Sequence, residues 1–360
     1  MKLVASRALI NGQLESNVYI ESTSGIISAI EVNSALPTTI SGIALPGFVD
    51  IHTHGGGGYY FSALKPKEIS VVVDTHHSHG TTSMLASLVT EPLENLLKQI
   101  EALVPFINQS CIKGIHLEGP YLAHSHCGAH DPALLRTPNI AELEQLITAS
   151  NNSIRMVTIA PELDGAVSVI EFLRSQGVVV ALGHSGADAA KTQAAIKAGA
   201  TLITHFNNGM PKLDSGDNIS SASLNNSEVS LEMILDGVHI NGADSQRILD
   251  AAPRRIVAIT DAMSAAGSID GDYTIGKLGV RVQDGIARLT SNGALAGSTL
   301  TMDRAFLNLV NKFGFSIAEA SHATSALPAK IIGLSDSGSI EVGKRAELIE
   351  FNTAGTINLI

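Results

Sequence analysis

Eight short apolar runs recur along the middle of this 360-residue chain, and their spacing limits the folds open to it. They read IALPGFVDIHTH, TTSMLASLVT, IKGIHLEGP, IRMVTIAPE, VVVALGHSG, TLITHFNNG, VSLEMILDGVHI and RRIVAITDAM. Most are followed by an amphipathic stretch with helical spacing, such as ENLLKQIEALVPFINQ, AVSVIEFLRSQG and TMDRAFLNLVNKFG. A strand written as a continuous apolar run is buried on both faces, and its alternation with helices builds parallel βαβ units. Eight such units predict an α/β fold, a (β/α)8 TIM-like barrel over residues 46–334. A doubly wound open sheet is the alternative.

The two ends have a different texture. Residues 1–45 hold short β-type runs separated by Asn-Gly and Ser-Gly turn signals, and residues 335–360 repeat that pattern. Together they predict one small β-sandwich domain formed by both chain ends. A further hairpin signal, Asp284-Gly285, lies in LGVRVQDGIARLTSNG.

Composition removes several function classes. Apolar residues make up 44% and charged residues 16%, which excludes a disordered chain. Acidic residues outnumber basic ones 34 to 23, with no basic run, so no nucleic-acid partner is expected. No window of about 18 apolar residues predicts a membrane span. Two cysteines, Cys111 and Cys127, make no disulfide framework, and the N-terminus is a poor signal peptide. A cytoplasmic protein is the expectation.

Polar residues fall at one place in the pattern. His52, His54, Glu118, His184, His205, His239 and Asp261 each stand at or just past the C-terminal end of an apolar run. In a barrel those ends meet at one mouth, where catalytic groups lie. His52 and His54, at i and i+2 on a strand, point to the same face, and Gly55–Gly58 leave room beside them. An unpaired Glu118 ending an apolar run would be costly, and a metal would satisfy it. With His184 and His205 it makes a set of two imidazoles and one carboxylate, a known open zinc arrangement. Asp261 is placed to take a proton from a metal-bound water; the segment Met263–Gly267 is a poor helix start, which weakens a capping role. His116, deeper on the same face as Glu118, reads as a satisfied core histidine or as one standing behind a metal ligand. His76, His77 and His79 read as a solvated helix face, and Lys113 as exposed.

These motifs resemble the amidohydrolase superfamily and, within it, the N-acetylglucosamine-6-phosphate deacetylases. The resemblance runs nearly end to end through PGFVDIHTHG, GIHLEGPYL, GAHDPALL, ALGHSGA, THFNNGM, ILDGVHI, AITDAMSAAG and LAGSTLTMDRA. Many relatives bridge two metals with a carboxylated Lys on the fourth strand; here that strand has no Lys, and Glu118 takes the role. The resemblance implies metal ligands at Glu118, His184 and His205, with His52 and His54 for a second ion. It implies Asp261 as the catalytic acid/base. It further implies that Ala129, His130, Asn208, Gly209, His239, Leu295, Ala296 and Gly297 bind substrate, with His130 on the acetamide carbonyl and His239 on phosphate. One or two divalent ions per subunit are implied, zinc first, with iron, manganese and cobalt also suited to these ligands. A homodimer acting on an amino-sugar phosphate is expected. One departure stands out: the Arg that the family places after its T-H-x-x-N-x-M-P string is missing, and Met210–Asn218 carries Lys212, Asp214 and Asp217 instead.

Overall fold

The computed structural model describes residues 1–360. All eight apolar runs become strands of one parallel sheet in sequence order. They are β1 (Phe48–Thr53), β2 (Thr81–Leu88), β3 (Ile112–Glu118), β4 (Ile154–Ile159), β5 (Val179–Leu182), β6 (Leu202–Ile203), β7 (Ser230–Ile234) and β8 (Ile256–Ile259). Helices lie between most successive strands. Their starts follow local chemistry: the Asn139, Asp188 and Asn241 side chains each accept a backbone N–H of the first helical turn.

Closure between β8 and β1 decides that this is a barrel and not an open sheet. Those two strands meet just beyond the end of β8. Asp261 donates its backbone N–H to the His52 carbonyl at 2.8 Å, and His54 donates to the Ala262 carbonyl at 3.0 Å. A buried side-chain tie lies one step deeper, where the Thr260 hydroxyl donates to Asp50 Oδ2 at 2.6 Å. Burial pushes the Asp50 carboxyl up to about 7, against the hydrogen bonds that favour its charged form.

Strands from both chain ends pair in one continuous six-stranded sheet. Its order is Ile357–Leu359, Leu348–Phe351, Ile40–Pro46, Lys2–Ile10, Gln13–Thr23, Ile26–Glu31. The Asn11-Gly12 and Ser24-Gly25 turns take positive φ at both positions (50° and 76°; 52° and 78°), as two-residue hairpins of this twist require. Leu3, Ala5, Ile10, Val18, Ile20, Ile27 and Leu348 form its own apolar cluster, separate from the barrel core. The Asp284-Gly285 hairpin belongs elsewhere. It joins Leu278–Gln283 to Ile286–Leu289 in a three-stranded sheet with Gly271–Ile275. That sheet grows from the connection after β8 and packs Val280, Val282, Ala287 and Leu289 on Met263, Ala265 and Ala296. No helix in the chain is long and apolar enough to cross a membrane.

Two expectations are corrected. Lys113 is 4% exposed, inside β3, with Nζ 3.5 Å from Glu347 of the end-strand unit. His76 is wholly buried, not solvated; its Nε2 lies 2.9 Å from the Gly55 carbonyl and 3.2 Å from Thr53 Oγ1. Burial holds its imidazole down to about 4, so it is neutral. His77 and His79 are half-buried, and His79 pairs with Asp303 at 3.1 Å. Helical periodicity had marked that face as polar, but the glycine-rich hairpin after β1 folds back over it.

Replacing Thr260 by Val leaves a buried Asp50 oxygen without its donor. The expected outcome is a loss of about 1–3 kcal/mol in urea unfolding. An unchanged midpoint would mean that the strands close without this tie.

Candidate active site

The polar residues of the strand ends converge at the C-terminal mouth. Glu118, last in β3, lies at the centre. Its Oε1 is 3.0 Å from His184 Nε2, 3.1 Å from His205 Nε2 and 3.5 Å from His52 Nε2. Its Oε2 is 3.3 Å from His54 Nε2 and 3.2 Å from His130 Nε2. Asp261 Oδ1 sits 3.6 Å from His52 Nε2 and 3.3 Å from His54 Nε2. Two groups with metal-binding geometry result: Glu118, His184 and His205, and beside them His52, His54 and Asp261.

Backbone geometry aims these side chains. His184, His205 and Asp261 each stand two residues past the end of β5, β6 and β8, and each has a positive φ: 48°, 27° and 46°. Non-glycine residues seldom take this conformation, and it turns each side chain off the strand line into the mouth. Glycines then let neighbouring loops approach the His184 ring. A Cβ on Gly128 would stand 3.1 Å from its Cε1, and one on Gly209 3.1 Å from its Nδ1.

The hydrogen bonds sort the histidines by chemistry. His184 Nδ1 faces the His126 carbonyl at 2.8 Å, and His205 Nδ1 faces the Asn208 carbonyl at 3.2 Å. A carbonyl only accepts, so both Nδ1 atoms carry hydrogen and both Nε2 atoms present lone pairs in the neutral ring. His52 Nδ1 faces the Glu232 carboxylate at 3.0 Å, with the same consequence. His130 is the reverse case. Its Nδ1 accepts the backbone N–H of Thr90 at 3.3 Å, so its Nε2 bears the hydrogen. His116 uses both nitrogens, on Ser87 Oγ and Thr158 Oγ1 at 2.9 Å each, and is a satisfied core residue as expected.

The donor set therefore fits a divalent cation. Lone pairs of His184 and His205 face each other at 3.0 Å and share a carboxylate oxygen, and the lone pair of His52 faces His54 Nε2 at 3.1 Å. Such an arrangement is repulsive until a positive charge enters it. In the metal-free protein protons play that part. Burial disfavours the charged rings, yet contacts with Glu118 and Asp261 lift His54 to about 9, and contacts with Glu118 and Glu232 hold His52 well above its usual value. For Asp261, burial works against ionisation, but the His54 and His52 rings bring its carboxyl down to about 2.

The cavity beside this cluster is lined by Ala129, His130, Asn208, Gly209, His239, Leu295 and Gly297, among others. Ala296 is the one residue of the expected substrate set that does not line it; its side chain packs with Met263 and Ala265. His239 holds Asp236 through Nδ1 at 2.7 Å. No Lys or Arg lines the cavity. Lys212 donates Nζ to the Asn207 carbonyl at 2.6 Å, and Asp214 pairs with Arg247. Glu232 and Thr90 join the site without being singled out by the sequence. Glu232 carries a visible signal, a carboxylate inside the apolar run VSLEMI; Thr90 carries none.

A (β/α)8 barrel with this cluster at its mouth defines a metal-dependent hydrolase. The amidohydrolase family model matches residues 43–359, and the chain belongs to that family. It is 38% identical to an N-acetylgalactosamine-6-phosphate deacetylase of Escherichia coli O157:H7, over 91% of this chain and 89% of that protein. It is 35% identical to an N-acetylglucosamine-6-phosphate deacetylase of Vibrio furnissii, over 85% and 78%. Among solved structures it resembles a variant of the Mycobacterium smegmatis N-acetyl-D-glucosamine-6-phosphate deacetylase in complex with N-acetyl-D-glucosamine-6-phosphate. The TM-score there is 0.96 at 37% identity, covering 100% of this chain and 97% of that one.

Metal uptake by the metal-free protein must displace the protons on these rings. Its apparent affinity is expected to rise with pH between about 6.5 and 9. Chelator competition across that range checks this, and a flat profile would contradict the assignment.

Proposed function

We propose that this enzyme hydrolyses the acetamide of N-acetyl-D-glucosamine 6-phosphate to acetate and D-glucosamine 6-phosphate, in amino-sugar catabolism. The observation that carries the reading is the pairing of opposite histidine types around one carboxylate. Glu118 is flanked by rings that offer lone pairs and by His130, which offers a hydrogen. Such a site holds a cation and a carbonyl oxygen side by side. The relatives at 35–38% identity, which act on amino-sugar 6-phosphates by name, support the substrate class.

In this reading Glu118, His184 and His205 hold one divalent ion, and His52 and His54 hold a second. Zinc is the ion we propose, since two imidazoles and a carboxylate form a familiar zinc set. A bound divalent cation supplies acidified water and polarises a carbonyl oxygen. His130 Nε2–H, which faces Glu118 Oε2 at 3.2 Å, would turn to the amide oxygen as negative charge grows there, once a cation takes its place on Glu118. Burial keeps His130 below its ordinary value, so the ring is neutral and its Nδ1 stays on Thr90. Asp261 is ionised and accepts the proton of the attacking water. It then delivers that proton to the departing amine nitrogen. Asn208, Gly209, Leu295 and Gly297 shape the sugar site.

Phosphate binding falls to His239. Its Nδ1–H is tied to Asp236, so the ring is held in place, and Nε2 donates to a phosphate oxygen in the form that carries hydrogen on both nitrogens. The lack of a lining Lys or Arg favours a second reading, in which the preferred substrate is an unphosphorylated N-acetyl amino sugar.

Acetate release by the metal-loaded enzyme tests both readings. Asp261→Asn is expected to lower kcat by about 10²–10⁴-fold. His239→Gln should raise KM for N-acetylglucosamine 6-phosphate and leave that of free N-acetylglucosamine unchanged. Better turnover of the free sugar by the unmodified enzyme would overturn the phosphate assignment. Better turnover of the galactosamine epimer would move the reading to that substrate. No release from any of the three would overturn the deacetylase reading.

A further inference from the structure

Glu232 is a carboxylate that the mechanism does not use. It lies on β7 with no exposure, beneath the cluster and outside the cavity lining. One oxygen, Oε2, serves both halves of the site: it accepts His52 Nδ1–H at 3.0 Å and the backbone N–H of His205 at 3.2 Å. The other oxygen, Oε1, has no partner. A buried, half-satisfied carboxylate is unfavourable unless positive charge lies near it.

The charges around it favour more than one ion. Glu118, Asp261 and Glu232 are three acidic groups within one cluster, and no Lys or Arg lines the cavity. A single dication leaves a net negative charge among them. Two dications with one hydroxide balance it.

The four candidate ligand histidines are also supported unequally. His184 and His205 are oriented by neutral main-chain carbonyls. His52 alone is oriented by a carboxylate. His54 Nδ1 has no partner at all. Within the His52–His54–Asp261 group, then, one ring is locked and the other is held only by its own ligand face. A carboxylate behind an imidazole fixes its tautomer and strengthens it as a donor.

We propose that Glu232 is the positioning residue that creates the second ion site: it fixes His52 with Nε2 toward the metal and supplies charge for a second cation. The proposal rests on the metal-binding part of the reading above and not on the substrate. Its support of His205 is secondary, because that contact is to the backbone and His205 Nδ1 has its own carbonyl.

The test is a Co²⁺ titration of metal-free protein, followed by absorbance and chelator competition, without substrate. The wild-type chain is expected to take two equivalents. Glu232→Met removes the acceptor while keeping the volume. It should weaken the second equivalent about 10–100-fold and leave the first within about threefold. The retained first ion reports that the barrel is folded. Glu232→Gln keeps a carbonyl acceptor and removes the charge; it should weaken the second equivalent about tenfold, and it decides the matter if the Met variant does not fold. In ¹⁵N spectra of the metal-free protein at high pH, the His52 Nδ1–H signal should persist in Glu232→Gln and be lost in Glu232→Met. A single equivalent in the wild type, equal weakening of both ions, or no weakening in either variant would overturn the proposal. Because no turnover is measured, failure of the deacetylase reading would leave this result intact.

Discussion

Glu118 is the charge around which the mouth of the barrel is built. It ends β3, it is 4% exposed, and five imidazole nitrogens approach its two oxygens within 3.0–3.5 Å. A buried carboxylate imposes a condition on its surroundings: every approaching group must bring positive charge or a hydrogen. His184, His205 and His52, whose Nδ1 atoms carry the hydrogen, meet that condition only with added protons or a cation; His54, with nothing behind Nδ1, meets it with an Nε2–H or a cation. His130 meets it with its own N–H. The same condition fits the cluster to a metal ion and, in the proposed reading, to an amide oxygen beside it.

The rest of the fold serves to hold that cluster still. The barrel brings strand ends from β1, β3, β5, β6 and β8 to one rim, and the main chain of the turns does the aiming. Positive φ at His184, His205 and Asp261 is unfavourable locally, so it needs surrounding contacts to maintain it. For His184 these include the Glu162 carboxylate, which accepts from Ser185 Oγ at 2.7 Å and from the Gly186 backbone N–H at 2.6 Å. For Asp261 the neighbours are the backbone bonds that close β8 on β1. Barrel closure and the aiming of Asp261 are thus the same set of interactions.

Electrostatics divide the site into two regions. The cluster is rich in carboxylates and imidazoles, while the remaining cavity lining mixes small and apolar residues with Glu91, Asn208 and His239. The acidic residues of Met210–Asn218 do not face the cavity as free charges; Asp214 is neutralised by Arg247 on the helix Gly242–Ala251. In the proposed reading, phosphate held within one chain meets the His239 imidazole and no guanidinium, a weaker arrangement than a bidentate Arg.

The architecture and the metal-binding cluster are written in local features of the chain. Strand order follows from continuous apolar runs alternating with amphipathic stretches, and those periodicities are local. Glu118, His184, His205 and Asp261 were legible because a polar residue that ends a buried run is conspicuous, and His52 and His54 because the period of a strand puts them on one face. The Asn-Gly and Ser-Gly hairpins were legible because their turn type demands those residues. Only the tertiary structure decided what depends on contacts between distant segments. It showed that the glycine hairpin after β1 buries His76, that Lys113 reaches Glu347, and that Ala296 turns away from the cavity. It also assigned the histidine tautomers, since a ring is a lone-pair donor or an N–H donor according to what lies behind it. The amino-acid order places the ring; a carbonyl, a carboxylate or an amide brought from another segment places the proton.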